Sequence, residues 1–503
     1  MHKEGPMRTL QFKVLAPEWS DYLRSEFGFS SWRSGQREIL SALAQGSSVL
    51  GLMPTGAGKS LIYQFFSQIQ TDLVLVVTPL IALMEDQAAR ARSLRIPSSF
   101  IHSQIPAAEK KDRMDRLAKG GFQLFFATPE RLQKPEFAQA LSNRHLGLFV
   151  VDEAHCVSLW GHDFRPDYAK LAGVRRALGN PTTLALTATA THEVQKEILK
   201  SLGLPQALTI SQGLRRDNIA ISVEDVYGLE EKLEKLIPRI EKREGRVLVY
   251  VTLIKTVEEI RHHLRRRGIE SLVYHGDLPP QKRRASLLSF MRDEKALMVA
   301  TPAFGLGIDQ PNIRGLYHLE PPSSLESYFQ EVGRAGRDGK PSEAVLYYDQ
   351  EDLSIPMQFI MSAHPERQYL EKIYDLIATY PEKVRSLGRE FLAEEMSYKN
   401  RSDHRVDSAL NILERWGCIT RHQDVIERAA ELREDYFNLE NQQALLKHHN
   451  QKLYDFLQWV KDPKTCRLVR IYDYFGHSGE RPCGLCDNCL AQTSAGSDGA
   501  QES

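Results

Sequence analysis

The sequence predicts an α/β protein: two parallel-sheet lobes, then a mostly helical region, then a small cysteine-rich subdomain. Three observations carry this. Short apolar runs alternate with helical spacing from about residue 35 to 210. The alternation restarts near residue 228. It stops after about residue 355, and four cysteines cluster near the end. Apolar runs separated by helical segments are the pattern of a parallel sheet buried on both faces.

In the first lobe, Val49–Met53, Leu73–Val77, Leu124–Ala127, Leu148–Val151 and Leu184–Leu186 read as buried strands. Leu80–Leu94 has helical spacing between two of them. In the second lobe the strands are Val247–Val251, Ser271–Tyr274, Leu297–Ala300, Gly315–Leu319 and Ala344–Tyr348, with a helix at Lys255–Arg267. The lobes join near Gln212–Asn218. Domain bounds follow at 1–212, 213–355, 356–460 and 461–492, with a small, polar tail at 493–503 expected to be disordered. Within 356–460, Val406, Leu410 and Leu413 share a helix face. Trp416-Gly417 ends that helix before an apolar Cys418-Ile419-Thr420. That helix-then-strand order resembles a piece of a winged helix.

Lys+Arg and Asp+Glu both number 65 among 503 residues. A global basic charge is therefore excluded as a basis for nucleic-acid binding, and any such surface is local. No run of about 18 apolar residues predicts a membrane span. The first residues lack the apolar core of a signal peptide, so a cytoplasmic protein with reduced thiols is expected. The basic run Arg261–Arg267 reads as a solvated helix face.

The chemistry begins at Met53–Ser60 (MPTGAGKS), between a strand and a helix. A glycine-rich loop there aims backbone N–H groups at phosphate oxygens. Thr55, Gly56, Ala57 and Gly58 form the cradle. Lys59 reaches the β- and γ-phosphates, and Ser60 ligates Mg²⁺. Asp152-Glu153-Ala154-His155 follows the strand Leu148–Val151. Alone, Asp-Glu would be a solvated strand end. Paired with the upstream loop, Asp152 reads as a second Mg²⁺ ligand and Glu153 as the residue orienting the attacking water. His155 is expected on the nucleotide side, linking nucleotide state to a neighbouring loop.

Cys466 is followed after 16 residues by Cys483-Gly484-Leu485-Cys486-Asp487-Asn488-Cys489. Four thiolates suit a closed, structural Zn²⁺ site. A redox dithiol or an iron–sulfur cluster is the alternative.

With these residues in view, the chain resembles the RecQ family of DNA helicases, over about residues 22–355 and 461–490. The resemblance rests on an ordered set of motifs: Thr78–Gln87 (TPLIALMEDQ), Thr128–Leu132 (TPERL), Ala185–Ala190 (ALTATA), Ala300–Asp309 (ATPAFGLGID) and Ser327–Gly339 (SYFQEVGRAGRDG). Ser158–Pro166 (SLWGHDFRP) looks like the family's aromatic-rich loop. There Trp160 and Phe164 stack on unpaired bases, Arg165 contacts phosphate, and His162 lies on the same DNA side. Phe27–Gln36 resembles the adenine-recognition motif, implying Phe29 on the adenine ring, Gln36 on its edge and Arg33 in support. Trp32 and Ser34 depart from the usual pattern. Arg334 and Arg337, three apart and expected on one helix face, match the arginine-finger motif. Arg337 is the first choice for the γ-phosphate contact. Asp309 lines the same cleft. Thr78, Thr187 and Thr189 are assigned to the DNA side, the last two also to coupling of the lobes.

The resemblance implies two RecA-like lobes, ATP with Mg²⁺, structural Zn²⁺, and 3′-to-5′ unwinding of DNA in recombination and repair. Expected partners are single-stranded and branched or duplex DNA and a single-strand-binding protein. The chain is expected to be a monomer, associated with a prokaryotic nucleoid. In typical members the zinc site closely follows the second lobe. Here an extra region intervenes, so a rearranged auxiliary domain is expected, with no helicase-and-RNase-D-like C-terminal domain. The rival readings are an RNA helicase, a DNA-binding scaffold with vestigial motifs, and an ATP-driven annealing or remodelling factor.

Overall fold

The computed structural model describes residues 13–498, except 55, 80, 103, 143, 159–164, 214, 243, 306–309, 397–404, 423–424 and 438. The first lobe is a seven-stranded parallel sheet. Its strands are β1 (Val49–Leu52), β2 (Leu73–Val77), β3 (Ser98–Ile101), β4 (Leu124–Ala127), β5 (Leu146–Val151), β6 (Thr183–Thr187) and β7 (Leu208–Ser211). They lie in the order β3-β4-β2-β5-β6-β1-β7. The second lobe is a six-stranded parallel sheet of β8 (Ile219–Asp225), β9 (Arg246–Tyr250), β10 (Leu272–Tyr274), β11 (Leu297–Ala300), β12 (Ile313–His318) and β13 (Ser342–Tyr348). Its order is β10-β11-β9-β12-β13-β8.

The apolar runs are continuous because each strand feeds two cores. Val74 and Val76 enter one cluster of the first lobe, whereas Leu73, Leu75 and Val77 enter the other. Leu248 and Tyr250 likewise point opposite to Val247 and Val249. Three strands carried no strong apolar run and were not expected: β3, β7 and β8. β3 and β7 are the edges of the first sheet and β8 an edge of the second, where one-sided pairing tolerates polar residues.

After β13 the core clusters differ from the expected bounds. The helix Ser354–Ala363 packs with the long helix Leu439–Lys461. Ile360, Phe456, Trp459 and Val460 join the same core as Leu248 and Tyr328 of the second lobe. Leu468, Ile471, Tyr472, Cys466 and Cys486 of the cysteine subdomain belong to that core too. A boundary at 460/461 therefore cuts through one packed unit.

The residues between those helices form a separate core, from Leu370 to Phe437. Among the described residues it contains four α-helices and an antiparallel pair, β14 (Ile419–His422) with β15 (Val425–Arg428). Val406, Leu410 and Leu413 are buried in it on one face, as their spacing predicts. The extra region is thus a module inserted between two helices that pack together. The tail also differs from expectation: the helix Asp487–Asp498 continues past residue 493. Gln492 ties it back by donating to the carbonyl of Lys464, while Thr493 donates within the helix to Cys489 O at 2.7 Å. Among the described residues no helix is long and apolar enough to cross a membrane.

Candidate active site in the cleft and metal centre

The phosphate loop leaves β1 at the carboxyl end of the first sheet, where open α/β sheets bind ligands. Gly56 and Gly58 have φ of +81° and +79°, a region open to glycine at little cost. Both also sit beneath intruding side chains. A Cβ on Gly58 would lie 2.7 Å from Gln36 Nε2, and one on Gly56 would lie 3.0 Å from Arg337 Cγ. Gly58 caps the helix Lys59–Ile69, so the loop's N–H groups stand at a helix N-terminus.

Lys59 Nζ is buried, lies 3.8 Å from Glu153 Oε1 and makes no hydrogen bond among the described residues. A buried ammonium with unspent donors fits a polyphosphate ligand. Asp152 follows β5 and is 7% exposed. Burial, then repulsion from Glu153, pushes its carboxyl up to about 6, while Lys59 pulls the other way. Such a carboxylate gains from a nearby divalent cation. Ser60 lines the same cavity as Asp152, so the two residues expected to hold Mg²⁺ are brought together. Glu153 adopts φ +49°, a left-handed conformation that costs a non-glycine residue about 1–3 kcal/mol.

His155 is buried, with Nδ1 3.0 Å from Thr187 Oγ1 and 3.4 Å from Glu153 Oε2. It therefore ties the carboxylate motif to the end of β6. The threonines assigned to DNA are a correction. Thr78, Thr187 and Thr189 are 2%, 0% and 2% exposed. Their hydroxyls face the interior, and Thr187 is engaged by His155.

The structure brings the residues of the adenine motif to the cleft. Phe29 is 50% exposed and lines the cleft with Arg33 and Gln36. Gln36, however, is committed to the loop: Nε2 donates to Ala57 O at 3.0 Å and Gly58 O at 3.2 Å, and Oε1 accepts from Arg33 N at 2.9 Å. Here it braces the phosphate loop rather than facing outward. Arg33 also donates to Gly56 O. The unusual Trp32 packs edge-on against Phe65 at 4.7 Å, in the core.

Arg334 and Arg337 lie not on a helix but in the turn after it, because the helix ends at Val332. Arg334 N and Ala335 N cap its last turn by bonding Glu331 O and Val332 O. Gly336 then reverses the chain at φ +53°. Arg334 is 4% exposed and donates to Gly305 O within its own lobe. Arg337 lies against Gly56 of the other lobe. Phe29, Arg33, Gln36, Gly56, Gly58, Lys59, Ser60, Asp152, Glu153, Arg334 and Arg337 all line one cavity of about 720 Å³. Thr55 and Asp309 lie outside the described residues, as do Trp160, His162 and Phe164.

The ends of the aromatic segment are described. Arg165 N donates to Cys156 O at 3.0 Å and Arg165 Nη1 to Pro79 O at 3.3 Å. Arg165 is thus tied to the loop after β2. Tyr168, unnoticed in the sequence, is fully buried and donates its hydroxyl to Asp152 O at 3.0 Å. It joins the segment after the aromatic loop to the carboxylate motif. A lone tyrosine after Asp167 gave no periodic or motif signal.

The four cysteines converge, with all Sγ atoms within 4.8 Å of one another. Cys483–Cys489 and Cys466–Cys486 sulfurs are 4.0 and 3.9 Å apart. Tetrahedral Zn–S bonds of about 2.3 Å would space sulfurs by about 3.8 Å. Backbone N–H groups of Cys483, Leu485, Cys486 and Arg467 point at the sulfurs, as thiolates favour. Arg467 forks onto Asp487, and Asp487 accepts from Val223 N of edge strand β8 at 3.0 Å. The subdomain thereby covers the open edge of the second sheet.

Comparison with known proteins agrees with this anatomy. The DEAD/DEAH box helicase model matches residues 33–198, the helicase conserved C-terminal domain 229–339, and the RecQ zinc-binding model 419–490. The chain is 35% identical over 353 residues to the probable ATP-dependent DNA helicase RecS of Bacillus subtilis, covering 70% of each. It is 35% identical over 371 residues to the ATP-dependent DNA helicase RecQ of Haemophilus influenzae, covering 73% of this chain and 60% of that protein. It thus spans less than two thirds of the latter's length. The fold is also that of the Mycobacterium smegmatis helicase Lhr, solved with single-stranded DNA and AMP-PNP. The TM-score is 0.55 at 19% identity, over 86% of this chain and 61% of that one.

Proposed function

The chain belongs to the RecQ family of helicases, and from that premise we propose that it is an ATP- and Mg²⁺-dependent DNA helicase. One observation carries the reading: Lys59, Asp152 and Glu153 of one lobe and Arg334 and Arg337 of the other line a single cavity. A phosphoryl-transfer site split across a cleft is complete only when the lobes close. Closure on ATP and reopening after hydrolysis move one lobe along a bound strand.

In this reading Lys59 and the loop N–H groups hold the phosphates, and Ser60 and Asp152 hold Mg²⁺. Glu153 orients the attacking water. The arginines neutralise charge on the transferring group. Bound Mg²⁺ supplies charge neutralisation at the phosphates. Phe29, with Gln36 released from the loop, contacts adenine, and Thr55 and Asp309 complete the cleft. Trp160, His162, Phe164 and Arg165 contact single-stranded DNA, and the tie from Tyr168 to Asp152 reports that contact to the hydrolytic site. The four cysteines hold structural Zn²⁺.

Direction, 3′-to-5′, and a role in recombination and repair follow from the family. So do a cytoplasmic setting on nucleoid DNA, a partnership with single-strand-binding protein and action as a monomer. The test is displacement of a strand from a 3′-tailed DNA duplex with ATP and Mg²⁺, with a matched RNA duplex as control. Displacement of the DNA strand, abolished by Lys59→Ala, is expected. Hydrolysis on single-stranded DNA without displacement would replace helicase activity with ATP-driven annealing or remodelling.

A further inference from the structure

The interlobe linker contains an arginine that the site described above does not use. Arg216 is half-buried, and its guanidinium spans the turn that carries Arg334 and Arg337. Nη1 donates to Gly333 O at 3.1 Å. Nη2 donates to Ala335 O at 2.5 Å and Gly336 O at 3.1 Å. Asn218, two residues on, donates from Nδ2 to Gly336 O at 2.7 Å and Lys340 O at 2.9 Å. Carbonyls left open after the helix end at Val332 are thus satisfied from the linker. A planar, multi-donor guanidinium suits this task, and an ammonium does not.

The linker is itself held from the metal subdomain. Arg216 N donates to Tyr472 Oη at 3.0 Å. Tyr472 lies on the helix Arg467–Tyr474, which begins directly after Cys466. Its ring is buried and meets Phe329 edge-on at 6.3 Å. Arg215 Nη1 donates to Glu480 Oε2 and Arg481 O, both at 3.1 Å, in the segment between Cys466 and Cys483.

We propose that Arg216 is a positioning residue for phosphoryl transfer: it sets the turn bearing Arg334 and Arg337, and Tyr472 of the metal subdomain sets Arg216. The metal subdomain therefore acts on hydrolysis through the linker, besides completing the core of the second lobe. This rests on the hydrolytic reading given above.

The experiment uses the full, zinc-loaded chain with saturating single-stranded DNA. It compares ATP turnover by wild type, Arg216→Lys and Tyr472→Phe. It also measures binding of a fluorescent ADP with and without aluminium fluoride, which together mimic the transferring phosphoryl group. Arg216→Lys should lower kcat at least about tenfold with KM for ATP held within about twofold. Its affinity for ADP alone should be unchanged, and the gain from aluminium fluoride should be lost. Tyr472→Phe keeps the buried ring and should lower kcat about fivefold, the value of one hydrogen bond, again at constant KM. A kcat for Arg216→Lys within about twofold of wild type overturns the proposal. So does a parallel loss of ADP affinity, which would mark general disruption. If Arg216→Lys does not fold, Tyr472→Phe decides, and a wild-type kcat there overturns the link. A wild-type chain that hydrolyses no ATP would instead remove the hydrolytic reading on which the proposal stands.

Discussion

Arg337 of the second lobe lies against Gly56 of the phosphate loop in the first, so close that a Cβ on Gly56 would sit 3.0 Å from Arg337 Cγ. The two halves of the site are thus in contact through a glycine that is also held at φ +81°. Gly56→Ala adds a methyl group at that contact and a left-handed strain of about 1–2 kcal/mol. ATP hydrolysis should fall at least about tenfold, with the melting temperature lower by only a few degrees. Turnover assays and thermal unfolding on the same preparation check both halves of this prediction.

Arg337 and Arg334 should separate in their effects. Arg337 reaches the other lobe, while Arg334 is spent on Gly305 O within its own. Arg337→Ala should lower kcat by about 10³-fold with ATP affinity nearly intact. Arg337→Lys should restore little, because an ammonium does not reproduce the fork. Arg334→Ala should additionally lower the melting temperature, since it leaves Gly305 O without this donor. Equal effects of the two on kcat and stability would contradict the assignment.

Metal removal should reach beyond the cysteine subdomain. Cys466, Cys486 and Cys489 share a core with Leu248, Tyr328 and Leu346 of the second lobe. Purified protein should hold about one Zn²⁺ per chain. Cys486→Ser should lose it and unfold the second lobe by several degrees earlier, because metal-binding energy there is folding energy. Metal analysis and calorimetry test this. Less than one metal per chain in the wild type would count against the site.

The seam between the helices Ser354–Ala363 and Leu439–Lys461 should be acid-sensitive. His364 Nε2 and His449 Nδ1 are 2.7 Å apart. Burial, then His364, holds the His449 imidazole down at about 4. Burial and Arg415 of the inserted module lower His364 as well. Lys452 and His448 add to the positive field on His449, and Glu326 opposes it. Both histidines are lowered in the folded state, so the unfolded chain binds more protons as pH falls below about 6.5. Stability is fully present above that value and is lost as pH drops towards 4. Melting temperature should fall across this window, and His449→Phe should flatten the slope. A slope unchanged by that substitution would sink the assignment.

Much of this protein was legible in its residues taken in order. Both sheets, the phosphate loop, Asp152-Glu153 and the four cysteines are local patterns. Strand burial leaves an apolar run, and a ligand cradle needs its glycines and its lysine at fixed spacing. Edge strands β3, β7 and β8 were lost because polar residues interrupt any apolar run: two buried serines in β3, a largely exposed β7, and alternation in β8.

What only the tertiary structure decided are contacts between distant segments. Gln36 turns to Ala57 and Gly58, and Tyr168 holds Asp152 from beyond the aromatic loop. The finger arginines stand in a turn braced by Arg216, more than 100 residues earlier in the chain. The cysteine subdomain joins the second lobe across an inserted module with its own core. Residue spacing encodes only what lies along one helix, strand or loop. A hydrogen bond between a linker arginine and a distant carbonyl leaves no periodic trace, so its existence depended on how the two lobes and the metal subdomain pack.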